Sequence, residues 1–262
     1  MKLAHPRLLA RIAGGVCGLI GMSACATAPS SRDQPFTVAE KEFTSHGVKI
    51  LVDVYTPAGR RTGAAHPPVL VLHGAGGMLF DGPEMARVAR ELATAGFEAY
   101  QVHYFDRTQT WFARQAVLLK LFPTWRETVH DAVTWVQAER PEAGKVGIFG
   151  YSLGAFAGIE EARRNPAIGA VVEQAGGFWN AHPEGPTRQP LPPILLIHGL
   201  EDQRVPFAKY ARPLLAFLRA HDDPFATHFY PGEGHNFSPS ALHRVRAETV
   251  AFFQRHLSGP VR

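Results

Sequence analysis

The sequence predicts an α/β fold in which a mostly parallel central sheet carries helices on both faces. Two short, continuous apolar runs, at residues 68–72 and 146–149, are typical of strands buried on both sides. Segments with apolar residues at helical spacing separate these runs, so strands and helices alternate along the chain. Such alternation indicates βαβ units and therefore parallel strand pairs. With 262 residues, of which 45% are hydrophobic, the chain can bury one sizeable core.

Eight segments are predicted to form the strands. Each is rich in β-branched, aromatic or aliphatic residues and is bounded by glycine, proline or polar turns. In chain order they are residues 36–43, 48–55, 68–72, 97–104, 145–149, 168–172, 193–197 and 227–230.

Helices are predicted from capping residues and from the spacing of apolar residues. Asp81 is placed to cap a helix that ends at Gly96. The last helix begins at Ser238, an N-cap, with Pro239 at the first helical position. Two more lie between them, at about 125–139, behind a Phe/Leu-rich loop, and at 153–164.

The amino terminus is typical of an export signal. Lys2, Arg7 and Arg11 precede an apolar stretch at 12–22, which is shorter than the ~20 residues of a membrane-spanning helix. Residues 22–25, Met-Ser-Ala-Cys, resemble a bacterial lipobox, which implies that residues 1–24 are removed and that Cys25 is lipid-modified. Ordinary cleavage at 24–26 or 26–28 is the alternative. A polar tether at 25–35 would then join the anchor to a domain at 36–262.

Charge and cysteine content exclude several classes of protein. The net charge is +4, but the signal contains three basic residues and no acids, and the remaining 24 basic residues face 23 acidic ones. We therefore expect no nucleic-acid partner. The only cysteines are Cys17 and Cys25, so the predicted domain has no thiol for a disulfide, a zinc site or a nucleophile. No H-E-x-x-H is present, and we expect neither a metal nor a cofactor.

A candidate nucleophile follows the predicted strand at 145–149. Residues 150–154, Gly-Tyr-Ser-Leu-Gly, match the G-x-S-x-G pattern between a strand and a helix. The tight turn of this pattern lifts the hydroxyl of its serine, here Ser152, out of the sheet. The non-catalytic alternative is a glycine-rich turn in which the serine only caps the helix, but the strand–turn–helix context favours a nucleophile.

The last strands carry the groups that such a serine needs. A serine hydroxyl requires a base with a pKa near neutrality, and His235 lies between the last strand and the last helix. Asp202, in the loop after the strand at 193–197, is the candidate acid that would orient it, with Glu201 as the rival. The chain order Ser152, Asp202, His235 is that of α/β-hydrolases, which predicts this fold.

The predicted strand at 68–72 ends in His-Gly-Ala-Gly-Gly, residues 73–77, which resembles the oxyanion loop of esterases. We expect Ala75 to donate one backbone N–H to the oxyanion and Leu153, the residue after the nucleophile, to donate the other.

Together these segments resemble the dienelactone hydrolase family of α/β-hydrolases, from about Phe43 to the carboxyl terminus. The resemblance rests on residues 71–77, 104–108 and 150–154 and on the Asp202 and His235 loops. The founding enzymes of that family have cysteine at the position of Ser152. Those enzymes also bind the carboxylate of their substrate with several side chains. Arg107 is the only residue of this chain that the resemblance matches to one of them.

The predicted function is hydrolysis of ester or lactone-like bonds in a small-molecule substrate, facing the bacterial periplasm. Arg107, Trp111 and Phe178 are candidate substrate-binding residues. Two alternatives stay open. The same triad hydrolyses amides, as in a serine peptidase, or the chain is a non-catalytic envelope binding protein on a hydrolase scaffold.

Overall fold

The computed structural model describes residues 35–59, 65–179 and 190–258 of the chain. The strands are β1 (Phe36–Ser45), β2 (Val48–Pro57), β3 (Pro68–Leu72), β4 (Glu98–Val102), β5 (Val146–Tyr151), β6 (Ile168–Gln174), β7 (Ile194–Gly199) and β8 (Phe225–Tyr230). The helices are α1 (Gly77–Phe80), α2 (Gly82–Thr94), α3 (Gln115–Glu139), α4 (Leu153–Ala162), α5 (Ala211–Ala220) and α6 (Pro239–Leu257).

The strands form one sheet in the order β1-β2-β4-β3-β5-β6-β7-β8. β2 runs antiparallel to both of its neighbours, while β4 and all strands beyond it pair in parallel. All five residues of β3 are buried between β4 and β5, as its continuous apolar run predicts. The predicted α/β class with a mostly parallel sheet is therefore confirmed.

Helices cover both faces of the sheet. One apolar cluster joins the strands to α3, α4 and α5, with Trp125 and Phe156 among its buried members. The other joins them to α2 and α6, with Val88 and Phe253 inside it. Because successive side chains of a strand point to opposite faces, Leu70 belongs to the first cluster and Val71 to the second.

Three features differ from the sequence-based expectation. Helix α3 begins at Gln115, ten residues before the predicted start, and Pro123 lies inside it. Helices α1 and α5 were not predicted. The side chain of Asp81 makes no capping hydrogen bond, because its Oδ2 accepts instead from the Gly76 N–H at 2.9 Å. The predicted N-cap at Ser238 is confirmed, since its side chain accepts from the Ala241 N–H.

The predicted signal, Cys25 and all of the tether except its last residue lie outside the described residues. Within the described ranges, no helix combines the length and the apolar character needed to cross a membrane.

Candidate active site

Ser152 occupies the sharp turn between β5 and α4. Its backbone has φ 52° and ψ −113°, a conformation that non-glycine residues rarely adopt. The flanking glycines are required by close backbone approach. A Cβ on Gly150 would collide with the carbonyl of Gly154, and one on Gly154 would collide with the carbonyl of Leu72. This turn therefore presents the hydroxyl of Ser152 above the carboxyl ends of the strands.

Three of the predicted residues meet in one chain of hydrogen bonds. Ser152 Oγ lies 3.0 Å from His235 Nε2, and His235 Nδ1 lies 2.7 Å from Asp202 Oδ2. The three side chains come from the ends of β5, β7 and β8, which are brought to the same edge because these strands run in parallel. The structure thus assembles the set that the sequence singled out.

The carboxylate of Asp202 is completely buried and fully bonded. Its Oδ1 accepts from the N–H groups of Arg204 at 2.9 Å and Val205 at 2.8 Å. Burial alone would raise the pKa of Asp202, but the hydrogen bonds from His235 and Val205 outweigh it and hold the pKa below its ordinary value. An ionised carboxylate only accepts, so His235 carries its proton on Nδ1 and offers Nε2 to Ser152.

Glu201, the rival acid, has no place in this network. The residue is exposed, and its backbone N–H donates to the carbonyl of Glu233. Buried His198 is the other neighbour of Asp202, with its Nε2 2.9 Å from the Val205 carbonyl. Burial lowers the pKa of His198, so it remains a neutral support of the Asp202 loop.

The His235 loop is held from both sides. Tyr151 O–H donates to Asn236 Oδ1 at 2.9 Å. Glu233 Oε2 accepts from the N–H of Ser238 at 2.7 Å, which ties the loop to the first turn of α6. These contacts limit the directions in which the imidazole can move.

The loop after β3 lies beside Ser152, as expected for an oxyanion loop. Ala75 and Leu153 line the same cavity as Ser152. The Ala75 carbonyl accepts from the Ala113 N–H at 2.7 Å, and Asp81 holds the next residue, Gly76. The N–H groups of Ala75 and Leu153 donate to no other group within the described ranges, so both remain available to a ligand.

Buried aromatic contacts support this loop from below. The ring of His73 stacks on Tyr104 with 4.2 Å between centroids, and Tyr104 O–H donates to the His73 carbonyl at 2.6 Å. Burial lowers the pKa of His73 to about 3, so the ring is neutral at physiological pH.

A cavity of about 270 Å³ opens at Ser152. Its walls are mostly apolar, and Trp179 contributes a large ring that stacks on Phe122 with 4.4 Å between centroids. The lining residues are Ala75, Ala113, Gln115, Leu118, Ser152, Leu153, Phe156, Trp179, Arg204, Val205 and Tyr210.

The three predicted substrate-binding residues do not line this cavity. Arg107 forms an ion pair with Glu127 at 2.7 Å and is largely buried. Trp111 is exposed and borders a separate depression. Phe178 is buried in the core against Phe217.

Other residues of the segments that contain Trp111 and Phe178 line the cavity instead. Trp179 lines the cavity next to buried Phe178. Leu118 reaches it because α3 begins early, at Gln115. The candidates Trp111 and Phe178 were therefore close to the cavity wall in sequence, but the sequence does not show which side chains of their segments face the cavity. Nothing in the sequence indicated Tyr210.

Among the described residues, no group of three or more His, Cys, Asp or Glu side chains is arranged to hold a metal ion.

Comparisons with known proteins agree with this architecture. A metagenomic dienelactone hydrolase-like promiscuous phosphotriesterase superposes with a TM-score of 0.71 at 19% identity, covering 84% of this chain and 98% of that one. Dienelactone hydrolase from Anabaena variabilis gives 0.64 at 20% identity, covering 85% and 99%. An acylaminoacyl peptidase from Pyrococcus horikoshii gives 0.68 at 16% identity, covering 86% of this chain and 42% of that one. No curated protein sequence matches the chain.

These structural neighbours establish the α/β-hydrolase fold that the order of the site residues predicted. The family model described as "Dienelactone hydrolase family" matches residues 51–252, which include every residue of the hydrogen-bonded set and of the oxyanion loop. The chain therefore belongs to the dienelactone hydrolase family and is a hydrolase of ester-type bonds.

Proposed function

We propose that the chain cleaves carboxylic ester or lactone bonds through a Ser152–His235–Asp202 triad and an acyl-enzyme intermediate. The observation that carries the proposal is the unbroken hydrogen-bond chain from Ser152 Oγ through His235 to buried Asp202. This geometry matches the requirement for a serine nucleophile, whose hydroxyl must lose its proton as it attacks.

The first half of the reaction acylates the serine. His235 Nε2 takes the proton of Ser152 Oγ as the oxygen attacks the carbonyl carbon, and Asp202 stabilises the imidazolium that forms. The oxyanion accepts from the N–H groups of Ala75 and Leu153. His235 then protonates the leaving alkoxide, which departs as the alcohol. In the second half, water attacks the acyl group with the same proton transfers and restores Ser152.

The replacement Ser152→Ala tests this proposal directly. We expect hydrolysis of p-nitrophenyl butyrate to fall by a factor on the order of 10⁴ or more, because alanine offers His235 no hydroxyl to activate. Ser258→Ala, at the serine that follows the last residue of α6, is the control and should keep its activity. Wild-type protein should also be labelled by a fluorophosphonate at Ser152. Undiminished turnover in folded Ser152→Ala protein would reject the triad.

A matched pair of acid variants tests the choice between Asp202 and Glu201. Asp202→Asn should lower kcat by a factor of about 10³–10⁴, because the neutral amide no longer stabilises the imidazolium. Glu201→Gln should stay within about twofold of the wild type, since that side chain is exposed. A larger loss in Glu201→Gln would reassign the acid. Parallel assays on p-nitroanilides measure amide hydrolysis by the same site.

We further propose that the enzyme works in the bacterial cell envelope, anchored through a lipid on Cys25. The support is the amino-terminal sequence, in which a basic start, a short apolar stretch and a lipobox-like Met-Ser-Ala-Cys follow one another.

A further inference from the structure

An unusual group of exposed apolar side chains lies beside the candidate active site. Leu79 and Phe80 end α1, Trp111 and Phe112 lie in the segment before α3, and Leu119 lies in its second turn. Between 42% and 72% of each of these residues is exposed. Elsewhere in the described ranges, only Val38 and Leu200 are large hydrophobic residues with comparable exposure. We call these five residues the apolar rim.

Four members of the apolar rim form one surface, and Leu119 follows Leu118 of the cavity wall in α3. The rings of Phe80 and Phe112 meet edge to face with 5.8 Å between centroids. Leu79 and Trp111 border the same depression. The backbones also touch, because the Trp111 carbonyl occupies the space where a Cβ of Gly77 would lie. Grouped exposed apolar residues indicate a binding surface more strongly than single ones do.

This surface continues into the catalytic cavity. The segments that carry the apolar rim also supply Ala75, Ala113 and Leu118 to the cavity wall beside Ser152. On the other side of the nucleophile turn, Phe80 and Tyr151 line a smaller pocket of about 150 Å³. An apolar substrate that passes from a surface bound at the rim into the cavity would therefore remain in contact with apolar side chains until it reached Ser152.

The charges on the apolar rim are positive. Arg114 and Lys120 are exposed and form no ion pair with any residue that the structure describes. Arg114 lies over the ring of Phe112, 5.7 Å from its centroid. Residues 107–126 contain no acid.

The nearby acids are already engaged. Glu84 pairs with Arg246 and Arg87, and Glu127 pairs with Arg107. Asp106 accepts from the N–H of Leu51 at 3.0 Å. No engaged acid neutralises Arg114 or Lys120, so the surface favours an anionic partner.

Exposed Trp, Phe and Leu side chains beside unpaired cations are the combination that binds the interface of an anionic bilayer. We propose that the apolar rim docks the active site on an anionic lipid surface, from which the enzyme draws amphipathic, acyl-chain-bearing esters. The substrate part of this proposal rests on the proposed ester hydrolysis, whereas the docking does not. A second copy of the chain fits the rim less well, because twofold pairing of this surface would bring two positively charged patches together.

Quenching of Trp111 fluorescence reports insertion of the apolar rim itself. The full chain carrying Cys25→Ser, which cannot be acylated, is mixed with phosphatidylcholine vesicles that contain phosphatidylglycerol and doxyl-labelled lipid. We expect most of this quenching to be lost in Trp111→Phe, because Trp111 is exposed, whereas Trp125 is buried and Trp135 and Trp179 are partly buried. Arg114→Gln combined with Lys120→Gln should weaken it several-fold. Equal quenching in Trp111→Phe, or none in the parent, would overturn the proposal.

Turnover separates docking from chemistry. The triple variant Leu79→Ser, Phe112→Ser, Leu119→Gln should lose tenfold or more of its rate on a long-chain fluorogenic ester embedded in the same vesicles. On soluble p-nitrophenyl acetate it should stay within twofold, which also shows that it folds. Val38→Ser, at an equally exposed position of β1, should match the parent on both substrates.

Each other outcome has one meaning. Unchanged vesicle turnover in the triple variant would overturn the docking. Self-association that the triple variant abolishes, without lipid quenching of Trp111, would assign the rim to a dimer and also overturn it. If the proposed ester hydrolysis is wrong, the quenching of Trp111 should still be observed. For the same reason, quenching should persist in the inactive variant Ser152→Ala.

Discussion

At the scale of single residues, side chains that never touch a substrate hold the candidate site in place. Asp81 is the main case. Its carboxylate accepts from the N–H of Gly76 and fills the space that a Cβ on Gly74 would need. Burial raises the pKa of Asp81 above its ordinary value, against the opposing effect of the N–H groups of Gly76 and Gly74. The side chain thus fixes the loop that presents the Ala75 N–H.

Replacing Asp81 tests its positioning role. Asp81→Ala should lower kcat for p-nitrophenyl butyrate by about 10–100-fold, because a loosened loop misplaces one oxyanion donor. KM should change little, since Asp81 does not line the cavity at Ser152. Asp81→Asn keeps an acceptor oxygen and should recover most of the rate. Equal losses in both variants, or a loss confined to KM, would argue against this role.

His73 makes the stability of the fold depend on pH. Its pKa in the folded protein is about 3, against about 6.5 in the unfolded chain. Between these values the unfolded chain binds the proton and the folded protein does not. Stability contributed by His73 is therefore complete above pH 6.5 and is lost as the pH falls towards 3.

We expect the free energy of unfolding to fall with acidification by up to about 1.4 kcal/mol per pH unit from this residue alone. Urea denaturation of the wild type and of His73→Phe between pH 6.5 and 4 measures it. Phenylalanine can keep the stacking on Tyr104 but cannot take a proton, so its slope should be shallower. Identical slopes would assign the acid loss to other groups.

At the scale of elements, the pattern of each strand was predictable, whereas α1 and α5 were missed and α3 was predicted too short. β3 and β5 are central and buried, so their apolar runs suffice to locate them. Pro123 follows the first turns of α3. Because proline removes a helical hydrogen bond, its presence favours the prediction that the residues before it form a loop. Exposed Leu119 further obscures the apolar stripe that would mark a helix.

The start of α6 links helix stability to the His235 loop. Ser238 caps the helix, and Glu233 accepts from both the N–H and the hydroxyl of Ser238. Ser238→Ala should lower the free energy of unfolding by about 1 kcal/mol, the usual cost of a lost N-cap. Its kcat should fall as well, because the loop that carries His235 loses an anchor. Gln254→Ala, at an exposed position near the other end of α6, should change neither quantity appreciably in the same denaturation and kinetic measurements.

At the scale of the whole molecule, the site is assembled from segments that lie far apart in the chain. Ala75, Ser152, Asp202 and His235 each follow a different strand, so their convergence at one edge of the sheet could be predicted once the strand ends were located. The cavity wall could not be predicted in the same way. Its residues come from α3, α4 and the loops after β6 and β7, and their orientation depends on packing that no local pattern encodes.

The proposed anchor concerns the whole chain and can be tested by fractionation. In a bacterial host, the wild type should be recovered with membranes and should incorporate labelled palmitate. Cys25→Ser should lose the label and move to the soluble fraction, because one residue provides the acylation site. Val38→Ser should fractionate like the wild type. Labelling that persists in Cys25→Ser would place the modification elsewhere, and an unlabelled wild type would favour ordinary signal cleavage.

The backbone of Ser152 also sets stability against activity at a single residue. A non-glycine residue at φ 52° and ψ −113° costs on the order of 1–3 kcal/mol, which glycine would avoid. Glycine at this position would therefore favour folding but would remove the hydroxyl that meets His235. Strain of this kind is typical of functional sites, where the surrounding structure holds a residue in a conformation that folding alone would not select.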